Sequence, residues 1–100
     1  MPEALILQFD GIGPAEYEAV NAKLGIDMAS GSGDWPAGLL VHTGGTADDG
    51  SFVVTEVWSS RQAQADFMEQ RLGAALAAGG VKSAPRVTWI RLLAYHTPGA

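Results

Sequence analysis

The sequence has no cysteine, few cations and no long apolar run, and each absence excludes a class of protein. Without cysteine there are no disulfides and no thiolate metal sites. The chain has six lysines and arginines, scattered singly, and eleven acidic residues, which gives a net charge of −5. We therefore expect no nucleic-acid partner. No apolar run reaches the roughly 18 residues of a membrane helix. The N-terminal stretch is acidic where a signal peptide would be basic, so we expect a soluble cytoplasmic protein.

The length of 100 residues predicts a single domain over residues 1–100. A domain of this size buries only about 60–70% of the surface that its unfolded chain exposes. Because disulfides are excluded, oligomerisation is the common remaining way to stabilise it.

Hydrophobic periodicity predicts an α+β fold with the element order β-α-β-β-α-β. This is the ferredoxin-like arrangement, a four-stranded antiparallel sheet with two helices on one face. In the first predicted helix, Tyr17 recurs at helical spacing with Val20 and Leu24, and Asn21 lies beside them. Ser59 and Gln62 predict a capping box for the second helix. The strands are predicted at residues 4–9, 38–43, 51–58 and 86–96, and the helices at residues 14–24 and 60–78.

The last two predicted strands are largely apolar on both faces, which is typical of strands that are covered on both sides. Two helices can cover only one face of the sheet. The second cover then comes most simply from the sheet of an identical subunit, so the sequence predicts a homodimer in which two sheets form a barrel.

Glu56 is a carboxylate within an apolar strand, and we expect it to lie inside this barrel. A buried carboxylate must be paired, hydrogen-bonded or protonated. Arg91 and His42 are the two candidate partners. Glu56 then either fixes strand register and dimer geometry or serves as a catalytic acid or base.

Other polar and aromatic residues form a candidate site. His42 lies within a strand and can act as a base or as a structural residue. Four aromatic residues can line a pocket for a flat aromatic ligand: Trp58, Trp89, Trp35 and Phe67. Alternatively, Trp58 and Trp89 belong to the core of the dimer. Residues 26–36 have no periodicity, so we expect a mobile lid with Trp35 as its plug. With two distant histidines and no carboxylate cluster, we expect no metal.

The segment EVWSS before the second helix and the segment QRLGAAL within it resemble the dimeric α+β barrel superfamily. Within that superfamily, the sequence is most similar to antibiotic biosynthesis monooxygenase-like proteins. Residues 38–72 resemble a small, uncharacterised, actinobacterial-type subgroup of them. The superfamily includes cofactor-free monooxygenases of aromatic polyketides, haem-degrading enzymes, lactone isomerases and proteins of no known role.

The resemblance carries over to few residues. The haem-degrading branch has a Trp at the position of Phe67 and a His ligand further along that helix. Here that region is AALAA, residues 74–78, so the resemblance implies no haem. Gln8 is the polar residue nearest to that branch's strand-one Asn. The strand-three aromatic of the polyketide-oxidising branch corresponds to Trp58.

Three functions follow as hypotheses, all without a cofactor or metal. The first is a cofactor-independent monooxygenase of an aromatic or polyketide-type metabolite. The second is a non-catalytic protein that binds a hydrophobic ligand, and the third is a lactone or polyketide isomerase or cyclase. The candidate catalytic residues are Trp58, His42 and Glu56, and the candidate substrate-binding residues are Trp35, Phe67, Leu72 and Gln8.

Overall fold

A four-stranded antiparallel sheet organises the fold in the computed structural model, which describes residues 2–27, 29–81 and 84–96. The strands are β1 (Glu3–Phe9), β2 (Ile26–Asp27), β3 (Ser32–Gly33), β4 (Leu39–Thr46), β5 (Phe52–Trp58) and β6 (Arg86–Arg91). The helices are α1 (Pro14–Leu24), α2 (Arg61–Phe67) and α3 (Gly73–Ala78), and a π-helical segment (Met68–Leu72) joins α2 to α3.

The main sheet has the strand order β4-β5-β1-β6, with every neighbouring pair antiparallel. Two helices, α1 and the continuous helix made of α2, the π-helical segment and α3, pack side by side and cover one face. The ferredoxin-like α+β prediction is therefore confirmed, and the short β2–β3 hairpin is an addition to it.

The face under the helices carries the core because apolar residues alternate along the strands. Leu5, Leu7 and Phe9 of β1 are all buried, and the register places Leu7 opposite Val54 of β5. Every second residue of a strand shares a face, so Phe52 joins the same layer. This layer forms the sheet side of a cluster whose helical side includes Val20, Leu24, Phe67 and Ala75.

Local signals place the helix ends. Pro14 begins α1, where its missing N–H costs no hydrogen bond. Gly25 ends α1 in the left-handed conformation at φ 79°, which glycine adopts without strain. Ser60 caps α2, and its Oγ accepts a hydrogen bond from the Ala63 N–H at 3.2 Å. The cap is thus Ser60, and the predicted capping box at Ser59 was one residue early.

Two predicted strand ends were wrong, and the second helix differs from the predicted α-helix in type. The last strand ends at Arg91 because its partner strand β1 begins at Glu3, directly opposite. The second helix is not α-helical throughout, since it contains the π-helical segment. Strand β4 continues to Thr46, through Gly44 and Gly45 and beyond its predicted end at residue 43, because Thr46 still pairs with Phe52.

The face of the sheet away from the helices, called the open face below, carries alternate residues of the four strands. The register aligns one row of apolar side chains straight across it: Val41, Val57, Ala4 and Ile90. Ile90 is 41% exposed. None of the helices in the described part of the chain is long and apolar enough to cross a membrane.

Candidate functional site

A cavity of about 60 Å³ lies between the sheet and the helices. Leu7 and Val54 of the sheet, Leu24 of α1 and Leu72 of the π-helical segment form part of its apolar wall. Among the described residues, the polar side chains on the wall include Tyr17, Asn21, His42 and Glu56. An apolar cavity with a few convergent polar groups is the usual form of a small-molecule site.

Glu56 is only 6% exposed and is held by two hydrogen bonds. Its Oε2 lies 2.8 Å from His42 Nδ1, and its Oε1 accepts the Trp58 Nε1–H at 3.0 Å. The sheet dictates both contacts, because His42 is the cross-strand neighbour of Glu56 and Trp58 is the next residue on the same face. The prediction that Glu56 is buried and paired is confirmed, with His42 as the partner.

The sheet face predicted for Glu56 was wrong. Glu56 lies opposite Leu5, whose side chain is buried under the helices, so the carboxylate faces this subunit's own core and not the open face. Arg91, the other predicted partner, is exposed at the end of β6 opposite Glu3.

Tyr17 of α1 joins the hydrogen bonds of Glu56, His42 and Trp58, because its hydroxyl contacts His42 Nε2. Its ring also packs against Phe52, with centroids 4.8 Å apart. Gly44 makes room for this ring, since a Cβ on Gly44 would lie 2.7 Å from Tyr17 Cζ. Tyr17, His42, Glu56 and Trp58 thus form one continuous polar network.

Hydrogen-bonding chemistry fixes a consistent set of donors in this network. A carboxylate only accepts, so Trp58 Nε1–H and His42 Nδ1–H both donate to Glu56. His42 Nε2 of the neutral imidazole then accepts the Tyr17 O–H. Burial raises the pKa of Tyr17 above its ordinary value of 10.0; the Asn21 side chain opposes this rise, and Glu56 adds to it. Tyr17 therefore keeps its proton at neutral pH.

Asn21 lies one helical turn after Tyr17 on α1, on the same face of the helix. It is 5% exposed, and its Nδ2 has no hydrogen-bond partner of normal length among the described residues. Its side chain still lowers the pKa of the neighbouring Tyr17, although burial has the larger effect on that pKa.

Trp35 closes one side of the cavity. Its ring packs against His42, with centroids 5.3 Å apart, and its Nε1–H donates to Gly31 O at 3.0 Å. Trp35 and His42 also border an adjoining open hollow lined by Leu40. Trp35, Leu39 and His42 line both spaces and thus lie between the buried cavity and the hollow.

The segment predicted as a structureless loop contains the β2–β3 hairpin, in which Ile26 pairs with Gly33. Arg71 of the π-helical segment ties the end of this hairpin to α1, because its Nη2 donates to Leu24 O at 2.9 Å and to Asp34 O at 2.7 Å. Met28, within the predicted lid, lies outside the described residues.

The structure brings most of the predicted site residues together. His42, Glu56, Trp35, Phe67 and Leu72 all line the cavity. Trp58 is 0% exposed beneath it, where it holds Glu56 and packs on Phe67 with centroids 5.8 Å apart.

Gln8 lies on the other side of the sheet. It is on the open face, and its Nε2 donates to Ser51 Oγ at 3.0 Å. Alternation along β1 separates it from the cavity, because Leu7 and Phe9 on either side of it face the helices.

Sequence reasoning missed Tyr17 and Asn21 as site residues. Both lie by spacing on the apolar face of α1. Their polarity was the signal that could have identified them, because an Asn buried beside a Tyr needs polar partners. Within the described ranges, no group of three or more His, Cys, Asp or Glu side chains is placed to hold a metal ion.

No protein-family model matches the sequence, and no curated protein matches it either. Solved structures do match over nearly the whole chain. One is a protein from Chloroflexus aurantiacus that is provisionally named an antibiotic biosynthesis monooxygenase. It has a TM-score of 0.66 and 19% identity, over 99% of this chain and 100% of that one.

Two further matches are oxygenases from Streptomyces. The ActVA-Orf6 monooxygenase of Streptomyces coelicolor, solved with nanaomycin D, matches with a TM-score of 0.59 and 22% identity, over 96% of this chain and 91% of that one. SnoaB, a cofactor-independent oxygenase of Streptomyces nogalater, matches with a TM-score of 0.59 and 22% identity, over 99% and 98%. At these identities the similarity shows a shared fold.

Proposed function

We propose that this protein is a homodimer that binds an aromatic, polyketide-type metabolite in the cavity of each subunit and oxidises it with dioxygen, without a cofactor. The observation that carries the proposal is the buried His42–Glu56 pair, joined at 2.8 Å, on the wall of a largely apolar cavity. The fold supports it, since two similar structures are named as oxygenases and one of them holds nanaomycin D.

His42 serves as the general base in this proposal. The substrate gives its proton to the Tyr17 hydroxyl while this hydroxyl passes its own proton to His42 Nε2, the atom that it contacts. Glu56 stabilises the imidazolium that forms, because its Oε2 accepts the Nδ1–H. Trp58 is a positioning residue, since its N–H holds the other carboxylate oxygen.

The substrate anion then reacts with dioxygen. For an anthrone-type substrate, the carbanion reduces dioxygen and a C–O bond forms, which gives a peroxide anion. The imidazolium of His42 returns its proton to give the hydroperoxide. Loss of water breaks the O–O bond and leaves a ketone, so that one CH₂ and one O₂ give one C=O and one H₂O. The apolar wall keeps other water away from the anion.

The cavity must enlarge to take such a substrate. Its volume of about 60 Å³ is well below the roughly 150 Å³ of an engineered protein cavity that binds benzene. We propose that Trp35 and the β2–β3 hairpin move outward as a lid. The hairpin is held to α1 by Arg71, which comes from the π-helical segment that also lines the cavity.

The apolar side chains of the open face are the reason for proposing a homodimer. An apolar row crosses all four strands there, and the chain's own helices cover only the opposite face. Two residues of the edge strand β6 allow a matched test: Ile90 on the open face is 41% exposed, and Val87 on the helix-covered face is 55% exposed. Light scattering should show a dimer for the wild type and for Val87→Glu, and a monomer for Ile90→Glu. A monomeric wild-type protein at micromolar concentration contradicts the homodimer.

A non-catalytic ligand-binding role is the second candidate. One observation favours it: His42 Nδ1 is bonded to Glu56 and Nε2 contacts Tyr17, so neither nitrogen is directly available as a base. The same acid–base pair would also suit an isomerase or cyclase, which consumes no dioxygen.

Oxygen uptake with anthrone separates these functions. An oxygen electrode should record one O₂ consumed for each anthrone converted to anthraquinone, above the rate without protein. His42→Gln should lose about 10²–10⁴-fold in this rate, the usual contribution of general acid–base catalysis. The control is His96→Gln, which changes an exposed histidine and should keep full activity. Equal rates for both variants contradict the proposal, and binding without uptake favours the ligand-binding role.

A further inference from the structure

The proposed acid–base chemistry makes no use of one polar group on the cavity wall, the side-chain amide of Asn21. Asn21 is buried, and its Nδ2 makes no hydrogen bond of ordinary geometry among the described residues. The amide does act on the neighbouring Tyr17 hydroxyl, whose pKa it lowers, so at least one of its two N–H groups lacks an acceptor. Native proteins pair nearly all buried N–H groups with protein or ordered water. An unpaired donor on the wall of a cavity is therefore a site for an acceptor that comes from outside the chain.

The surroundings of Asn21 define the chemistry of that acceptor. The amide lies one helical turn from Tyr17, with Leu24 and Val20 beside it on the same wall. A hydrocarbon or an ammonium group has no acceptor for an N–H. A carboxylate would enter an apolar cavity that already holds the Glu56 carboxylate, and like charges at close range in a poorly solvated site repel strongly. A neutral carbonyl or phenolic oxygen meets neither objection.

We propose that Asn21 Nδ2 donates a hydrogen bond to a carbonyl or phenolic oxygen of an otherwise apolar aromatic ligand. This inference rests on the proposed ligand cavity and adds the ligand's oxygen to it. The aromatic body then lies against the apolar wall formed by Phe67 and Leu72.

The same hydrogen bond assists the proposed reaction. When an anthrone-type substrate loses its proton, part of the negative charge moves to its carbonyl oxygen. A fixed N–H donor aimed at an oxygen that gains charge stabilises the anion more than the neutral ketone. Asn21 thus orients the substrate and favours its deprotonation by His42.

Two probes that differ by one oxygen atom test the inference: 1-naphthol and naphthalene, titrated by calorimetry. The variant is Asn21→Leu, which keeps the approximate shape of the side chain and removes the donor. It should weaken 1-naphthol binding roughly three- to tenfold, the range for one lost hydrogen bond, and leave naphthalene binding unchanged. Its melting temperature should be equal to or above that of the wild type, because the variant no longer buries an unpaired polar group.

The matched control is Leu72→Ala, which alters the apolar wall and should change the affinity for both probes by a similar factor. If Asn21→Leu also weakens both probes equally, Asn21 shapes the cavity and is not a donor to the ligand. If Asn21→Leu melts at a lower temperature, the amide is satisfied within the protein, by the Tyr17 hydroxyl or by ordered water, and the inference is wrong. If the wild type binds neither probe, the ligand cavity itself is refuted and the inference falls with it.

Discussion

Gly44→Ala is expected to break the contact between Tyr17 and His42. In the structure, a Cβ on Gly44 would lie 2.7 Å from Tyr17 Cζ, 2.8 Å from its hydroxyl oxygen and 3.0 Å from Cε1. Carbon atoms in favourable contact are about 3.5–4.0 Å apart. The ring must therefore retreat by about 1 Å, which changes the geometry of the contact between its hydroxyl and His42 Nε2 and weakens it.

The cost follows from overpacking. Inserting a methyl group into a filled space destabilises a protein by about 1–3 kcal/mol. For a chain of this length, each kcal/mol lowers the melting temperature by about 4–8 °C. Gly45→Ala is the matched control, because a Cβ at Gly45 meets no atom within 4 Å and the residue lies on the open face.

Calorimetry and NMR together check this prediction. Gly44→Ala should melt well below Gly45→Ala, and only Gly44→Ala should shift the imidazole resonances of His42, since only this variant alters the partner of Nε2. If the two variants melt together and leave His42 unchanged, Tyr17 does not pack over Gly44 and the polar network ends at His42.

Three further predictions concern the same site. Glu56→Gln should lower the free energy of unfolding in urea by about 1–3 kcal/mol, because one amide oxygen replaces two acceptors for buried donors; unchanged stability would show that the side chain is solvated. Because burial raises the pKa of Tyr17 above 10.0, its contribution to stability is complete below about pH 10 and is lost as the pH rises through the folded-state pKa. The melting temperature of Tyr17→Phe should then fall less steeply than that of the wild type in this alkaline range, and parallel curves would contradict the assignment. Trp35→Ala should leave the melting temperature nearly unchanged and weaken 1-naphthol binding measured by calorimetry, whereas unfolding would make Trp35 a structural anchor and not a lid.

Strand periodicity predicted the order of the elements and which residues share a sheet face, because alternation is a local property of the sequence. It could not say which face of β5 turns inward, since both faces are apolar. That choice depends on the helices, which lie over Leu5 and Leu7 and therefore over Glu56 as well.

The missed parts of the site depend on contacts between distant segments. Tyr17 meets His42 across 25 positions of the sequence, and no periodicity reports such a pair. Gly44 follows the predicted end of its strand, yet it lies in β4 where the Tyr17 ring requires a residue without a side chain. The two-residue strands β2 and β3 are too short for alternation to reveal them.

The π-helical segment Met68–Leu72 has a consequence for how this site can change through insertions and deletions. In it, the Gly73 N–H bonds to Met68 O, five residues back, where an α-helix would reach back four. Deleting one residue there would restore an α-helix and rotate α3 by about 100° relative to α2. Ala75 would then turn out of the buried core, and Leu76 would leave the cavity wall. A change of one codon in this segment can therefore reshape the cavity without any substitution in it, whereas substitutions within the segment adjust it one side chain at a time.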